Sequence, residues 1–147
     1  MNFEQGMTAA LEEARLAYEQ GETPVGAALF QGDTLIAKAH NLTAQGHDPT
    51  LHAEMLVLRE AYQKLGSLKD CTLFVTMEPC AMCAGAMIHM KLPRLVFGAF
   101  DPRCGCCGSA VDLTDHWFYH SVETWGGILE GPCSALLTSF YKTLRQK

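Results

Sequence analysis

No apolar run in the sequence approaches the ~20 residues that a membrane span requires, and the N-terminus lacks the basic start and apolar core of an export signal. Insertion in a membrane is therefore not expected, and a cytoplasmic location is. Low-complexity tracts and internal repeats are missing too, which excludes disordered and fibrous classes. Charge is sparse at 18%, and 11 basic groups face 16 acidic ones, so there is no overall basic excess of the kind that favours nucleic acid. The balance is uneven along the chain. Residues 1–87 carry 5 basic and 11 acidic groups, whereas residues 88–147 carry 6 and 5. A polyanion is expected to approach the second half.

What is present fits one globular domain, 1–147: 147 residues, 48% of them apolar, suffice for one core and are too few for two. Seven cysteines are many, and the number is odd. Without an export signal, metal ligation or simple burial is expected before a disulfide framework.

Phe3, Met7, Ala10, Leu11, Ala14 and Ala17 recur at helical spacing, which predicts an amphipathic helix over 2–20 that Gly21 ends. Val25–Phe30 and Leu35–Ala39 read as strands joined by a hairpin turn at Gln31-Gly32-Asp33. Asp48-Pro49-Thr50 is a helix-start signal, and Gly66 stops the helix that follows. Further strands are expected at Leu73–Thr76, Arg94–Phe100 and Val122–Leu129. Another helix is expected to open at Pro79 and close before Pro93. A last one starts at Gly131-Pro132, with Leu136, Phe140 and Leu144 on one face. Strands alternating with helices predict an α/β domain with helices on both faces of one sheet.

Two stretches carry chemistry. Glu78-Pro79-Cys80-Ala81-Met82-Cys83 places two thiols three residues apart at a helix start, where the unpaired N–H groups and the helix dipole favour thiolate. Alone, this pair is equally a redox couple or two buried small residues. His52-Ala53-Glu54 adds a third ligand with a carboxylate two residues beyond it. His52, Cys80 and Cys83 then form a three-ligand set for zinc whose fourth position is left for water, with Glu54 as the proton shuttle. Cys104, Cys106 and Cys107 include a second C-x-x-C spacing, but no His lies near them in sequence, and small residues in a tightly bending loop are the simpler explanation. His40, His47, His89, His116 and His120 are read as surface or hydrogen-bonded residues.

His52-Ala53-Glu54 with Pro79-Cys80-Ala81-Met82-Cys83 resembles the zinc-dependent cytidine deaminase superfamily. Pro24-Val25-Gly26-Ala27, His40-Asn41, Thr76–Met87, Phe97–Pro102 and Gly126–Leu129 are similar to the bacterial tRNA-specific adenosine deaminases within it. The resemblance implies a three-layer α/β/α fold with a mixed five-stranded sheet and one zinc per subunit of a homodimer. It implies hydrolysis of adenosine to inosine at the wobble position of a tRNA anticodon. By the same resemblance Asn41 and the Ala53 backbone hold the target base, and Asp101, Arg103, Phe140, Tyr141 and Arg145 face the anticodon loop. The chain departs from the pattern at Tyr119-His120, where the family commonly has Asn-His, and its basic tail is limited to Lys142, Arg145 and Lys147. With the acidic balance, these departures keep a second reading open, a metabolic deaminase of a free base or nucleoside such as guanine, cytosine or adenosine. A zinc-stabilised binding module is a third, against which Glu54 speaks.

Overall fold

The fold was obtained as a computed structural model that describes residues 1–115 and 118–146; His116, Trp117 and Lys147 lie outside the described residues. Helix α1 (Phe3–Glu19) begins with a reciprocal cap, in which Gln5 N donates to Asn2 Oδ1 and Asn2 N donates to Gln5 Oε1, both at 2.9 Å. Its buried face is Met7, Ala10, Leu11, Ala14 and Ala17. Strands β1 (Gly26–Gln31) and β2 (Thr34–His40) form the expected hairpin around Gly32, whose φ of 58° suits glycine. Helix α2 (Ala53–Leu65) ends on Gly66, which at φ 70° donates its N–H back to Tyr62 O.

Strand β3 (Cys71–Met77) leads into helix α3 (Ala81–His89), and β4 (Arg94–Ala99) follows. The last strand, β5 (Glu123–Trp125), is much shorter than the 122–129 segment expected. Gly126 leaves the ladder there, packed so closely that a Cβ on it would lie 2.4 Å from Phe97 Cζ. Helix α4 (Glu130–Arg145) closes the chain.

The sheet order is β2-β1-β3-β4-β5. The β1 pairings with β2 and β3 are antiparallel, and the β3–β4 and β4–β5 pairings are parallel, which makes the sheet mixed. Helices α1 and α4 pack together on one face and α2 with α3 on the other, giving the three-layer α/β/α arrangement. Central strands covered on both faces have to be apolar throughout. Accordingly Leu73, Phe74 and Val75 of β3 and Leu95, Val96 and Phe97 of β4 are all buried.

Helix α4 corrects the expected face. Cys133 and Leu137 are its buried residues, while Leu136 and Phe140 are half-buried and Leu144 is exposed. The helix leans against α1 as well as the sheet, so Phe140 sits edge-on to Tyr18 rather than in the core.

Candidate active site

Helices α2 and α3 bring their N-termini together on one face of the sheet. Helix α3 begins later than Pro79 promised: Cys80 is the N-cap in extended conformation, and Ala81 is the first helical residue. Pro79 is instead drawn into the neighbouring loop, its carbonyl accepting from Cys106 N at 2.9 Å. His52 occupies the matching N-cap position of α2, also extended. N-caps normally carry Ser, Thr, Asp or Asn, whose side chains bond the helix N–H groups. Here neither side chain caps its helix. Both point to a common centre, joined by Cys83 from the first turn of α3.

His52 Nδ1 lies 3.7 Å from Cys80 Sγ and 3.6 Å from Cys83 Sγ, and the three ligand atoms all fall within 4.8 Å of one another. Tetrahedral zinc with ordinary bonds to sulfur and nitrogen would hold these atoms about 3.6 Å apart. The donor set therefore fits zinc. Two helix N-termini add their positive ends, which favours anionic ligands. Cys80 is held down to about 3, first by the hydrogen bond with Cys83 and then by that with His52. Its neighbour Cys83 is pushed up, because a proton shared with Cys80 stays on it and burial disfavours its charge. The His52 imidazole is raised, chiefly by its hydrogen bond to Cys80.

Glu54 is in the first turn of α2 and buried. Its Oε1 is the one buried side-chain N or O atom among the described residues that lacks a hydrogen-bond partner. An unpartnered carboxylate oxygen in a polar cavity is costly as structure and useful as a proton carrier. Burial raises its pKa.

A cavity of about 380 Å³ opens over these residues, at the smaller end of ligand pockets. His52, Glu54 and Cys80 line it, together with Asn41, Asp101 and Tyr141. Asn41 is buried, and its Oδ1 accepts from Ala53 N at 2.8 Å. The Ala53 N–H is thus engaged by Asn41, and Ala53 itself is fully buried. Asp101 Oδ1 accepts from Arg103 N and Cys104 N, which turns the loop after β4. Tyr141 is exposed at the pocket; Arg103 and Arg145 are exposed outside its lining. Phe140 packs between Tyr18 and Tyr141 and does not line the cavity.

The remaining cysteines form no second centre among the described residues. Cys106 and Cys107 are buried in the loop and Cys104 is exposed beside the pocket. Of the other histidines, His40 contacts Glu13 and Gln20, His89 meets Tyr119, and His120 Nε2 lies 2.7 Å from Leu92 O. His47 is exposed, and His116 is outside the described residues. Three buried carboxylates had drawn no assignment from the sequence: Glu13, which meets His40, and Glu22 and Glu78. Glu22 accepts from Ala44 N and Gln45 N and fixes the loop after Asn41, and Glu78 gathers the loop of residues 101–109. Only the position of Glu78 beside the ligand pair hinted at its importance.

A mixed sheet between two helix layers, with a His-Cys-Cys zinc set and a buried glutamate at two converging helix starts, defines a zinc-dependent hydrolytic deaminase. The chain belongs to the cytidine and deoxycytidylate deaminase family, whose zinc-binding region matches residues 1–99. It is 44% identical to the tRNA-specific adenosine deaminase of Bacillus subtilis (strain 168), over 96% of this chain and 89% of the relative. Against the tRNA-specific adenosine deaminase of Aquifex aeolicus (strain VF5) the identity is 37%, over 99% and 97%. Among solved structures, one from work on A-to-I editing by tRNA:A34 deaminases at the wobble position superposes with a TM-score of 0.85 at 37% identity, covering 90% of this chain and 99% of the other. A guanine deaminase from Nitrosomonas europaea superposes with a TM-score of 0.81 at 28% identity, covering 96% and 85%.

Proposed function

We propose that the chain, acting as one deaminase domain over residues 1–147, converts adenosine to inosine at the wobble position of a tRNA anticodon. The observation that carries this reading is the 44% identity, along nearly its whole length, to a tRNA-specific adenosine deaminase. The site agrees with it. An unpaired loop nucleotide leaves its stack at low cost, and the cavity is roomy enough to take its base.

His52, Cys80 and Cys83 would hold zinc, which when bound would supply a water activated near neutral pH. Glu54 takes a proton at Oε1, delivers it to the ring nitrogen, and assists departure of the amine as ammonia. The overall change is adenosine plus water to inosine plus ammonia. Asn41, its carbonyl fixed by Ala53 N, presents its amide nitrogen to the base. Asp101 and Tyr141 contact the nucleotide at the pocket, and Arg103, Arg145 and Phe140 act on the anticodon loop around it. The protein works in the cytoplasm as a homodimer; among the described residues no helix is long and apolar enough to cross a membrane.

The structural likeness to a guanine deaminase supports a second reading, hydrolysis of a free purine base. The two are separated by incubating the zinc-loaded protein with an anticodon stem-loop bearing wobble adenosine and, separately, with free bases and nucleosides. Inosine in the stem-loop supports editing. Ammonia from small molecules alone overturns it.

A further inference from the structure

We propose that Glu78 is a positioning residue that seats the substrate-facing loop 101–109 on the metal-ligand segment and thereby sets affinity for the nucleotide. This rests on the deaminase reading of the pocket. Glu78 follows β3 and stands two residues before Cys80, and its own N–H donates to Ala99 O at the end of β4. Glu78 is 3% exposed, yet among the described residues it bonds neither His52 nor a cation. Every bond recorded for its carboxylate goes to one loop. Oε1 accepts from Asp101 N at 3.0 Å and from the Ser109 hydroxyl, and Oε2 accepts from Cys107 N at 3.1 Å and Ser109 N at 3.0 Å.

Loop composition follows from this seat. A Cβ on Gly105 would lie 2.4 Å from Glu78 Cδ and 2.6 Å from Asp101 O, so the loop closes over the carboxylate only with glycine there. Pro79 O adds the bond from Cys106 N, and Gly105 N donates to Asp101 O. The first residue so held, Asp101, lines the pocket, as does Cys104. The buried Cys107 N–H needs an acceptor, and it finds one on this side chain, which also takes the N–H groups of half-buried Asp101 and of Ser109 at the loop's end. An uncharged side chain that replaces one acceptor oxygen with a donor sets N–H against N–H. The loop then lifts, while His52, Cys80 and Cys83 keep their positions on two helices.

The test compares the wild-type protein with Glu78→Gln and with Ser109→Ala, a milder variant that removes only the hydroxyl donor. Zinc content, labelling of Cys107 by a neutral thiol reagent, and KM and kcat on the wobble-adenosine stem-loop are measured for each. Glu78→Gln is expected to keep one zinc, to expose the buried Cys107 to label, and to raise KM about tenfold with kcat changed severalfold less. Ser109→Ala is expected to shift the same quantities in the same direction by less. Equal losses in kcat and kcat/KM with unchanged KM, or Cys107 protected as in the wild type in both variants, would overturn the proposal. Loss of zinc in Glu78→Gln would also overturn it, since the residue would then be supporting the ligands. If the wild-type protein leaves the stem-loop untouched, it is the substrate reading that fails; the zinc and labelling measurements still decide the role of Glu78.

Discussion

Asn41 Oδ1 accepts a 2.8 Å hydrogen bond from the backbone N–H of Ala53, tying the loop after β2 to the residue between the ligand His52 and the carboxylate Glu54. The bond orients the Asn41 amide, because only the oxygen can accept it. The amide nitrogen is left for the pocket. Asn41→Asp preserves an acceptor for Ala53 but removes the donor. It is expected to fold and bind zinc normally and to raise KM on the stem-loop about tenfold or more. Asn41→Ala also strands a buried N–H and should cost about 1–3 kcal/mol of stability, read as a lower Tm. A KM unchanged in Asn41→Asp would remove the amide from substrate recognition.

Two kinds of variant separate the metal ligands from the proposed proton carrier. His52→Ala or Cys80→Ala should lose bound zinc, and chelation of the wild-type protein should abolish turnover and lower Tm, since an ion bound only by the folded chain stabilises it. Glu54→Gln should keep zinc and lose turnover by about 10²–10⁴-fold, the range for general acid–base groups. Full zinc in Cys83→Ser, measured by metal analysis, would contradict the ligand assignment.

Close packing between α1 and β1 makes a contrast between two glycines. A Cβ on Gly26 would stand 2.0 Å from Ala10 O and 2.4 Å from Ala14 N, both backbone atoms that cannot swing aside. Gly26→Ala should therefore cost at least about 1–3 kcal/mol. Gly131 is exposed, in the first turn of α4, and meets nothing within 4 Å, so Gly131→Ala should change stability by less than about 1 kcal/mol. Thermal unfolding of the two variants side by side checks the helix–sheet contact.

Thiol chemistry gives the pH dependence. Burial pushes the Cys133 thiol up to about 12 from an ordinary value of 9.0. The unfolded chain thus releases this proton before the folded one does. The stability it contributes is complete below pH ~9 and is lost as pH rises toward 12. A Cys133→Ala variant should show a flatter loss of Tm between pH 9 and 11 than the wild type. In native protein at neutral pH, exposed Cys104 should alkylate well before Cys107 and Cys133, which burial both shields and keeps protonated. Rapid modification of Cys107 would contradict the packed loop.

Much of this was legible in the chain because each signal was local. The helix stop at Gly66 and the two short ligand motifs depend on neighbours a few positions away, whereas the start signal Asp48-Pro49-Thr50 misplaced the beginning of α2, whose N-cap is His52. Two motifs, each placed at a helix start, led to the expectation that His52, Cys80 and Cys83 share one ion, and their ligand atoms lie within 4.8 Å of one another. The shift of the α3 start to Ala81 was hidden because it follows from a distant partner, Cys106, holding Pro79. The true core face of α4, Cys133 and Leu137, was obscured by the larger Leu136, Phe140 and Leu144, of which Phe140 meets Tyr18 of α1 and Leu144 is exposed. Glu78 was invisible as a loop anchor for the same reason, since its partners lie 23 to 31 residues away.

The most direct test of the central claim is a comparison of kcat/KM for two substrates on one zinc-loaded preparation: a stem-loop carrying adenosine at the wobble position, and guanine. The account predicts inosine in the stem-loop with kcat/KM at least about a hundredfold above that for guanine, and loss of both activities in Glu54→Gln. Ammonia released from guanine with the stem-loop adenosine intact would contradict it.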